Sequence, residues 1–354
     1  MSIYTIFPTS TGEIQIGDGL PTYLIAEIGL NHNGSEELAR DMIKAAAQSG
    51  ASFVKFQKRS PSNLASAAFL DAPFLKCPLL GTTQREVRER LELSLEAYVR
   101  LREYAESLGL GFFASAFDLE SVDFLLEAGV KIIKIASHSL TNGPLLKKIA
   151  DLKLPTIASL GGCTLAEQDL AIEILQSCPL VIMHCVSSYP TPDGLAKLDT
   201  ITYLRDRYEL PVGYSSHEVG IDLSVASSVL GACMIERHFT LDRAMIGLDQ
   251  PISLEPQEFA EMATKIRRLF GARGITESLD DGEKAAKLAY HVAVRAAVPI
   301  KKGQLVDESM IVCKQPLSDP TIYFSGLETD LVVGRICNMD VNADDAIPRS
   351  ALAS

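Results

Sequence analysis

The chain has no run of about 18 apolar residues, the length needed to cross a bilayer. Its first residues, MSIYTIFPTS, lack a basic segment followed by an apolar one. No membrane span and no secretory signal are expected, and a cytoplasmic location is. Paired cysteines are missing too. The seven cysteines (77, 163, 178, 185, 233, 313 and 337) form no CxxC motif and are odd in number, so free, reduced thiols are expected rather than a zinc–thiolate site. Positive charge is in deficit. A net charge of -12 argues against a nucleic-acid surface, although a local cluster of Lys and Arg can still make a cleft attractive to a small anion. No GxGxxG occurs, which removes the Gly-rich turn of a doubly wound dinucleotide fold.

What is present is alternation. Eight short runs rich in Val, Ile and Phe recur: 23–31, 52–58, 111–117, 132–137, 155–161, 180–187, 211–218 and 234–240. Amphipathic stretches such as SEELARDMIKAAAQSG and EPQEFAEMATKIRRLF lie between them. Near-continuous apolar strands suit a parallel sheet covered by helices. Eight βα units in about 250 residues predict an α/β TIM (β/α)8 barrel. The connection over residues 59–90, with Pro, Ser and Gly punctuation, is long enough for a lid or binding loop. After residue 271 the texture turns polar. The reading is a barrel over 1–274, a linker over 275–288, and a small, mainly β domain over 289–354.

Function in such a barrel sits at the C-terminal ends of its strands. The polar residues there are Glu27, Asn31, Lys55, Gln57, Ser115, Lys134, Ser137, Ser159, His184, Ser187, Tyr189, Ser215, His217, Glu236 and His238. Any one of them alone fits a satisfied ion pair or a turn. Two lysines, two glutamates and three histidines on one rim point to chemistry. His217 and His238 end neighbouring runs, so both imidazoles can meet one divalent ion, with Glu27 on the next strand able to add a carboxylate. Lys55, Lys134 and the Ser137, Ser159 and Ser215 hydroxyls form a cradle for phosphate or carboxylate. His32, His138 and His291 read as loop or surface residues.

At these residues the chain resembles the sialic acid synthase family. AEIGLNHNG (26–34), KFQ (55–57), KIAS (134–137), HCVSSYPTP (184–192), GYSSHEVG (213–220) and ERHFTLD (236–242) match its strand ends in order, and PIKKGQLV (299–306) is similar to its C-terminal antifreeze-like (SAF, β-clip) domain. The resemblance implies metal-dependent condensation of phosphoenolpyruvate with the aldehyde of an amino-hexose. It implies Glu27, Lys55, His217 and His238 as catalytic residues, and His217 and His238 as ligands to Mn²⁺, with Mg²⁺ or Co²⁺ as alternatives. Phosphoenolpyruvate would be held by Lys55, Lys134, Ser137, Ser159, Ser187 and Ser215, and the sugar by Gln57, Tyr189, Glu236 and Asp249. It also implies a domain-swapped homodimer.

The chain departs from the family where the sugar is read. Ser187 replaces the usual Asn, Ser139 an acid and Gln250 a His, and Val292 stands where an Arg of the SAF domain is expected, with Arg295 nearby on a different register. An acceptor other than plain N-acetylmannosamine is the expectation. Two other readings remain at this level: a 3-deoxy-octulosonate-type synthase, and a catalytically degenerate sugar-binding paralogue.

Overall fold

Short β-branched and aromatic runs pair in parallel and close on themselves. The computed structural model describes residues 3–9 and 12–352. Two strands, β1 (Tyr4–Thr9) and β2 (Gly12–Gly17), first form an antiparallel pair. The barrel follows: β3 (Tyr23–Gly29), β4 (Phe53–Lys58), β5 (Gly111–Ala116), β6 (Ile133–Ile135), β7 (Thr156–Ser159), β8 (Leu180–Cys185), β9 (Val212–Ser216) and β10 (Met234–His238). β10 pairs with β3 and closes the eight-stranded ring. All eight expected runs are these strands, and the TIM-barrel reading is correct.

Capping side chains open several of the helices. Glu36–Gln48 starts at Ser35, whose side chain accepts from the Leu38 amide, and it buries Ala39, Met42, Ile43 and Ala46. Leu165–Leu175 starts with a full Thr164/Glu167 capping box. These apolar faces and the strands form one continuous core.

Two elements differ from expectation. The opening pair β1–β2 was not anticipated, because Pro8 interrupts its alternation; a two-stranded ribbon tolerates that proline. Its Phe7 and Ile16 are fully buried in the barrel core. The segment read as a linker is half helical. Asp281–Tyr290 is a helix opened by an Asp280/Glu283 capping box, with no buried residue. It was missed because its polar, Gly-containing start, LDDGEK, has the composition of a linker.

The chain divides at Arg273/Gly274 into two compact units. The second contains an antiparallel pair, β11 (Ala293–Ala296) with β12 (Ile311–Lys314). Its own core holds Val294, Ile300, Val306, Phe324, Val332, Val341 and Ile347. Arg295 is committed to this unit's frame, donating to the carbonyls of Lys314, Asp344 and Pro316. All seven cysteines are free, and among the described residues no helix is long and apolar enough to cross a membrane.

Candidate active site

Side chains alternate along a strand, so the barrel's interior parity selects one set. Glu27 on β3 lies level with Lys55 on β4 and His238 on β10, Ser115 on β5 with Gln57 and Lys134, and Glu236 with Ser215. These residues line a cavity of about 180 Å³ with Ser137, Ser159, Tyr189, His217 and Asp249. Thus every expected site residue but one converges on a single cavity. The exception, Ser187, is solvent-exposed and stands beside Ser137 across Gly161. Gly161 is needed there. A Cβ would lie 2.8 Å from the Ser187 hydroxyl and 2.9 Å from that of Ser137, which itself accepts from the Gly161 amide at 3.1 Å.

The cavity floor is a buried charge network. Glu236 bridges Lys55 and Lys134 at 2.7 Å each, and Ser215 donates to it at 3.2 Å. Burial opposes ionisation of Glu236, but the two ammonium groups outweigh it and hold its carboxyl far below the usual range. Burial depresses Lys134. For Lys55 the pull of burial is exceeded by Glu236 and Glu27, and it stays raised. Glu27 sits 3.3 Å from Lys55 and accepts from Gln57 at 2.6 Å. Burial nevertheless pushes Glu27 up to about 7, a value suited to proton transfer near neutrality. Glu236, expected beside the sugar, is instead the counter-ion of the two lysines.

Above the floor the rings of His217 and His238 lie with centroids 5.5 Å apart. Burial drives them down to about 4 and about 3, so both are neutral. His217 Nδ1 is 3.0 Å from the Val186 carbonyl, an orientation that frees Nε2 as a ligand. His238 Nδ1 is buried with no hydrogen-bond partner; Asp249 Oδ2 lies 4.0 Å away. Glu27 is engaged with Lys55 and Gln57, and among the described residues no three His, Cys, Asp or Glu side chains close on one point. The buried Ser115 Oγ and Ser159 Oγ also lack hydrogen-bond partners, whereas Glu27 Oε2 is held by the Lys55 ammonium. Buried polar atoms are almost always satisfied, so these are free to serve a bound group.

Other rim residues turn out to be structural. Asn31 donates to the Phe239 carbonyl and to Ser253. His184 stacks on Tyr214 and is 2.6 Å from the Ala196 carbonyl. His32, read as a loop or surface residue, lies in a turn and is buried against Phe56. His138 is exposed but opens on the cavity, stacked on Phe117. Sequence reasoning missed Arg59, which lines the cavity one residue beyond β4. Its signal was a second cation directly after KFQK.

The outward parity holds a second group the sequence reading passed over. Arg237, next to His238, is fully buried against Glu218, next to His217. Its guanidinium donates to the Glu218 carbonyl at 2.7 Å, the Gly220 carbonyl at 2.6 Å and Ser224 Oγ at 2.9 Å. A charged residue on the helix-facing side of an otherwise apolar strand was the available clue.

Such a floor, with two buried lysines, unpartnered hydroxyls and two neutral imidazoles, gives a barrel enzyme the chemistry to hold a small anion. The comparisons are specific. The NeuB family model matches residues 42–278, and the chain belongs to that family, as a transferase. N,N′-diacetyllegionaminic acid synthase of Campylobacter jejuni is 37% identical over 92% of this chain and 98% of its own length. Human N-acetylneuraminate-9-phosphate synthase is 34% identical over 94% and 93%. The crystal structure of N-acetylneuraminic acid synthetase from Leptospira borgpetersenii, in complex with citrate, superposes with a TM-score of 0.70 at 32% identity, covering 80% of this chain and 95% of that one.

Proposed function

We propose that this enzyme condenses phosphoenolpyruvate with the aldehyde of an open-chain N-acyl amino-hexose or related aldose, releasing phosphate and a nonulosonic acid. The observation that carries the reading is the floor, where Lys55 and Lys134 share one carboxylate beneath the unpartnered hydroxyls of Ser115 and Ser159. Phosphoenolpyruvate supplies the anionic groups that these cations and hydroxyls lack, and Ser137, Ser187 and Ser215 extend the same cradle.

His217 and His238 fit a divalent metal. Both are neutral, one is oriented by a backbone carbonyl, and the other holds an orphaned ring nitrogen. Bound there, Mn²⁺ (or Mg²⁺ or Co²⁺) would supply a Lewis acid for the sugar's aldehyde oxygen. C3 of phosphoenolpyruvate attacks the aldehyde carbon, and the aldehyde oxygen becomes the new hydroxyl. Water adds at the oxocarbenium left at C2, and Glu27 takes its proton, which goes on to the aldehyde-derived alkoxide. The C2–O bond then breaks: inorganic phosphate leaves with the electron pair as the C2 hydroxyl loses its proton to become the ketone. Gln57, Tyr189 and Asp249 at the mouth would orient the sugar. We also propose that residues 289–354 are an SAF domain and that the working form is a domain-swapped homodimer.

The test is release of inorganic phosphate from phosphoenolpyruvate over a panel of N-acyl hexosamines and simple aldoses. Release should be abolished by a chelator, restored by Mn²⁺, and lost by at least about 100-fold in Lys134→Ala. Absence of release with every aldose would leave a sugar-binding paralogue as the reading.

A further inference from the structure

The connection over residues 59–90 is not a loose loop. It folds into short helices, Pro61–Leu64, Ala67–Leu70 and Gln84–Arg90, around a small apolar cluster of its own, Phe74, Leu80, Val87 and Leu91. Between this segment and the 247–251 turn lies a second cavity of about 520 Å³. Arg59 and Asp249 line both it and the catalytic cavity, so the two spaces meet at these residues.

The second cavity is electrostatically one-sided. Arg59, Lys76 and Arg88 line it, and Asp249 is the single acid. None of the three cations makes an ion pair among the described residues. Arg59 donates to the Gln57 side-chain oxygen and stacks its guanidinium over Phe117 at 4.3 Å. Arg88 lies over Phe69 at 5.1 Å and has no hydrogen-bonded side-chain partner. Glu92, whose charge is felt by both arginines, is already paired with Lys58 at 2.7 Å. Half-buried guanidinium groups are normally matched by acids. Three cations against the one carboxylate of Asp249, which interacts with Arg59 and Lys76, are a local reversal of sign in a chain of net charge -12.

We infer that this cavity is a phosphoryl subsite for the acceptor sugar, holding a phosphate ester at the end of the chain remote from the aldehyde. The inference rests on the condensation reading for the aldehyde's position at the histidines. Two guanidinium forks and one ammonium match the charge and acceptor geometry of a phosphate dianion better than those of a neutral hydroxyl. The phosphoenolpyruvate cradle is separate, because Lys55 and Lys134 line only the catalytic cavity. Asp249, between the two spaces, keeps the anion off the histidines by repulsion and leaves it to the arginines.

The test compares N-acetylmannosamine with its 6-phosphate on the full chain, by calorimetric titration and by turnover. The phosphorylated sugar should bind at least tenfold tighter. Arg88→Ala should cut that preference by roughly 10- to 100-fold, the scale of a lost charge-assisted hydrogen bond, and Arg88→Lys should keep most of it. Lys76→Ala, at an exposed position, gives the same readout without risk to folding. Equal binding of the two sugars, or a preference unchanged in the Arg88→Ala and Lys76→Ala proteins, would overturn the subsite. A phosphate preference that responds to these variants while neither sugar is turned over would sustain the subsite and reject the condensation.

Discussion

Glu27 shows how much a single position can hold in tension. Burial raises its carboxyl from 4.5 to about 7, so the folded protein keeps a proton that the unfolded chain releases. Between about pH 4.5 and 7 the native state then binds more protons than the unfolded state, and stability falls as pH rises through that window. Glu27→Gln removes this penalty and can still accept from Gln57. The variant should therefore melt roughly 2–4 °C higher than wild type at pH 8 in metal-free buffer, the shift that about 1 kcal/mol gives in a domain of this size. The gain should vanish below about pH 4.5. Turnover should drop by about 10²- to 10⁴-fold, because the proton acceptor is gone. Thermal melts at the two pH values check the first part, and an unchanged melting point at pH 8 would refute it. Residue identity alone announced Glu27, since a carboxylate inside an apolar strand has no other economy. It did not announce the partners. Glu236 looked like a sugar or metal residue, and only the register of β10 against β9 and β3 made it the counter-ion of Lys55 and Lys134.

Elements rather than residues set the histidine pair. His217 lies one residue past β9 and His238 ends β10, and adjacency of those strands follows from the order of βα units. That much was legible in the sequence. The fastening was not, because it runs through the opposite parity of the same strands. Arg237 pins the backbone at Glu218 and Gly220, so the segment carrying His217 is tied to the strand carrying His238 from behind. Removing one partner of such a buried pair strands the other charge and costs several kcal/mol. Glu218→Gln should therefore lower thermal stability and, where folded, weaken Mn²⁺ binding by about 10- to 100-fold, as loss of an orienting partner does. Arg237→Lys, which keeps the charge but not the fork, should fall between wild type and Glu218→Gln. Metal titration followed by calorimetry reads this directly. Unchanged Mn²⁺ affinity in folded Glu218→Gln would assign the pair to stability alone. The 59–90 segment failed to show its helices for a different reason. Pieces of four to seven residues are too short to display a period.

At the scale of the whole molecule, repetition made the fold readable. Eight similar βα units repeat one pattern, so an error in one strand boundary leaves the ring intact, whereas β1–β2 and the Asp281–Tyr290 helix occur once and lack that support. The second unit has a core of ten buried apolar residues, small for a domain that must order some 80 residues. Marginal units of this size gain from association, which the proposed domain-swapped dimer would supply at no extra sequence length. The departure at Val292 bears on the same question. Its side chain, 37% exposed, packs closely over Gly326, where a Cβ would lie 2.5 Å from Cγ2. On the proposed reading, a partner's SAF domain over the barrel mouth would cover it without that arginine, and the charge for an anionic acceptor would come from the barrel's own Arg59, Lys76 and Arg88. Light scattering should return twice the 38.4 kDa chain mass. Val292→Arg should leave that mass unchanged and fail to create turnover of unphosphorylated N-acetylmannosamine. A monomer at micromolar concentration would reject the dimer, and efficient turnover in the Val292→Arg protein would return acceptor recognition to the SAF domain.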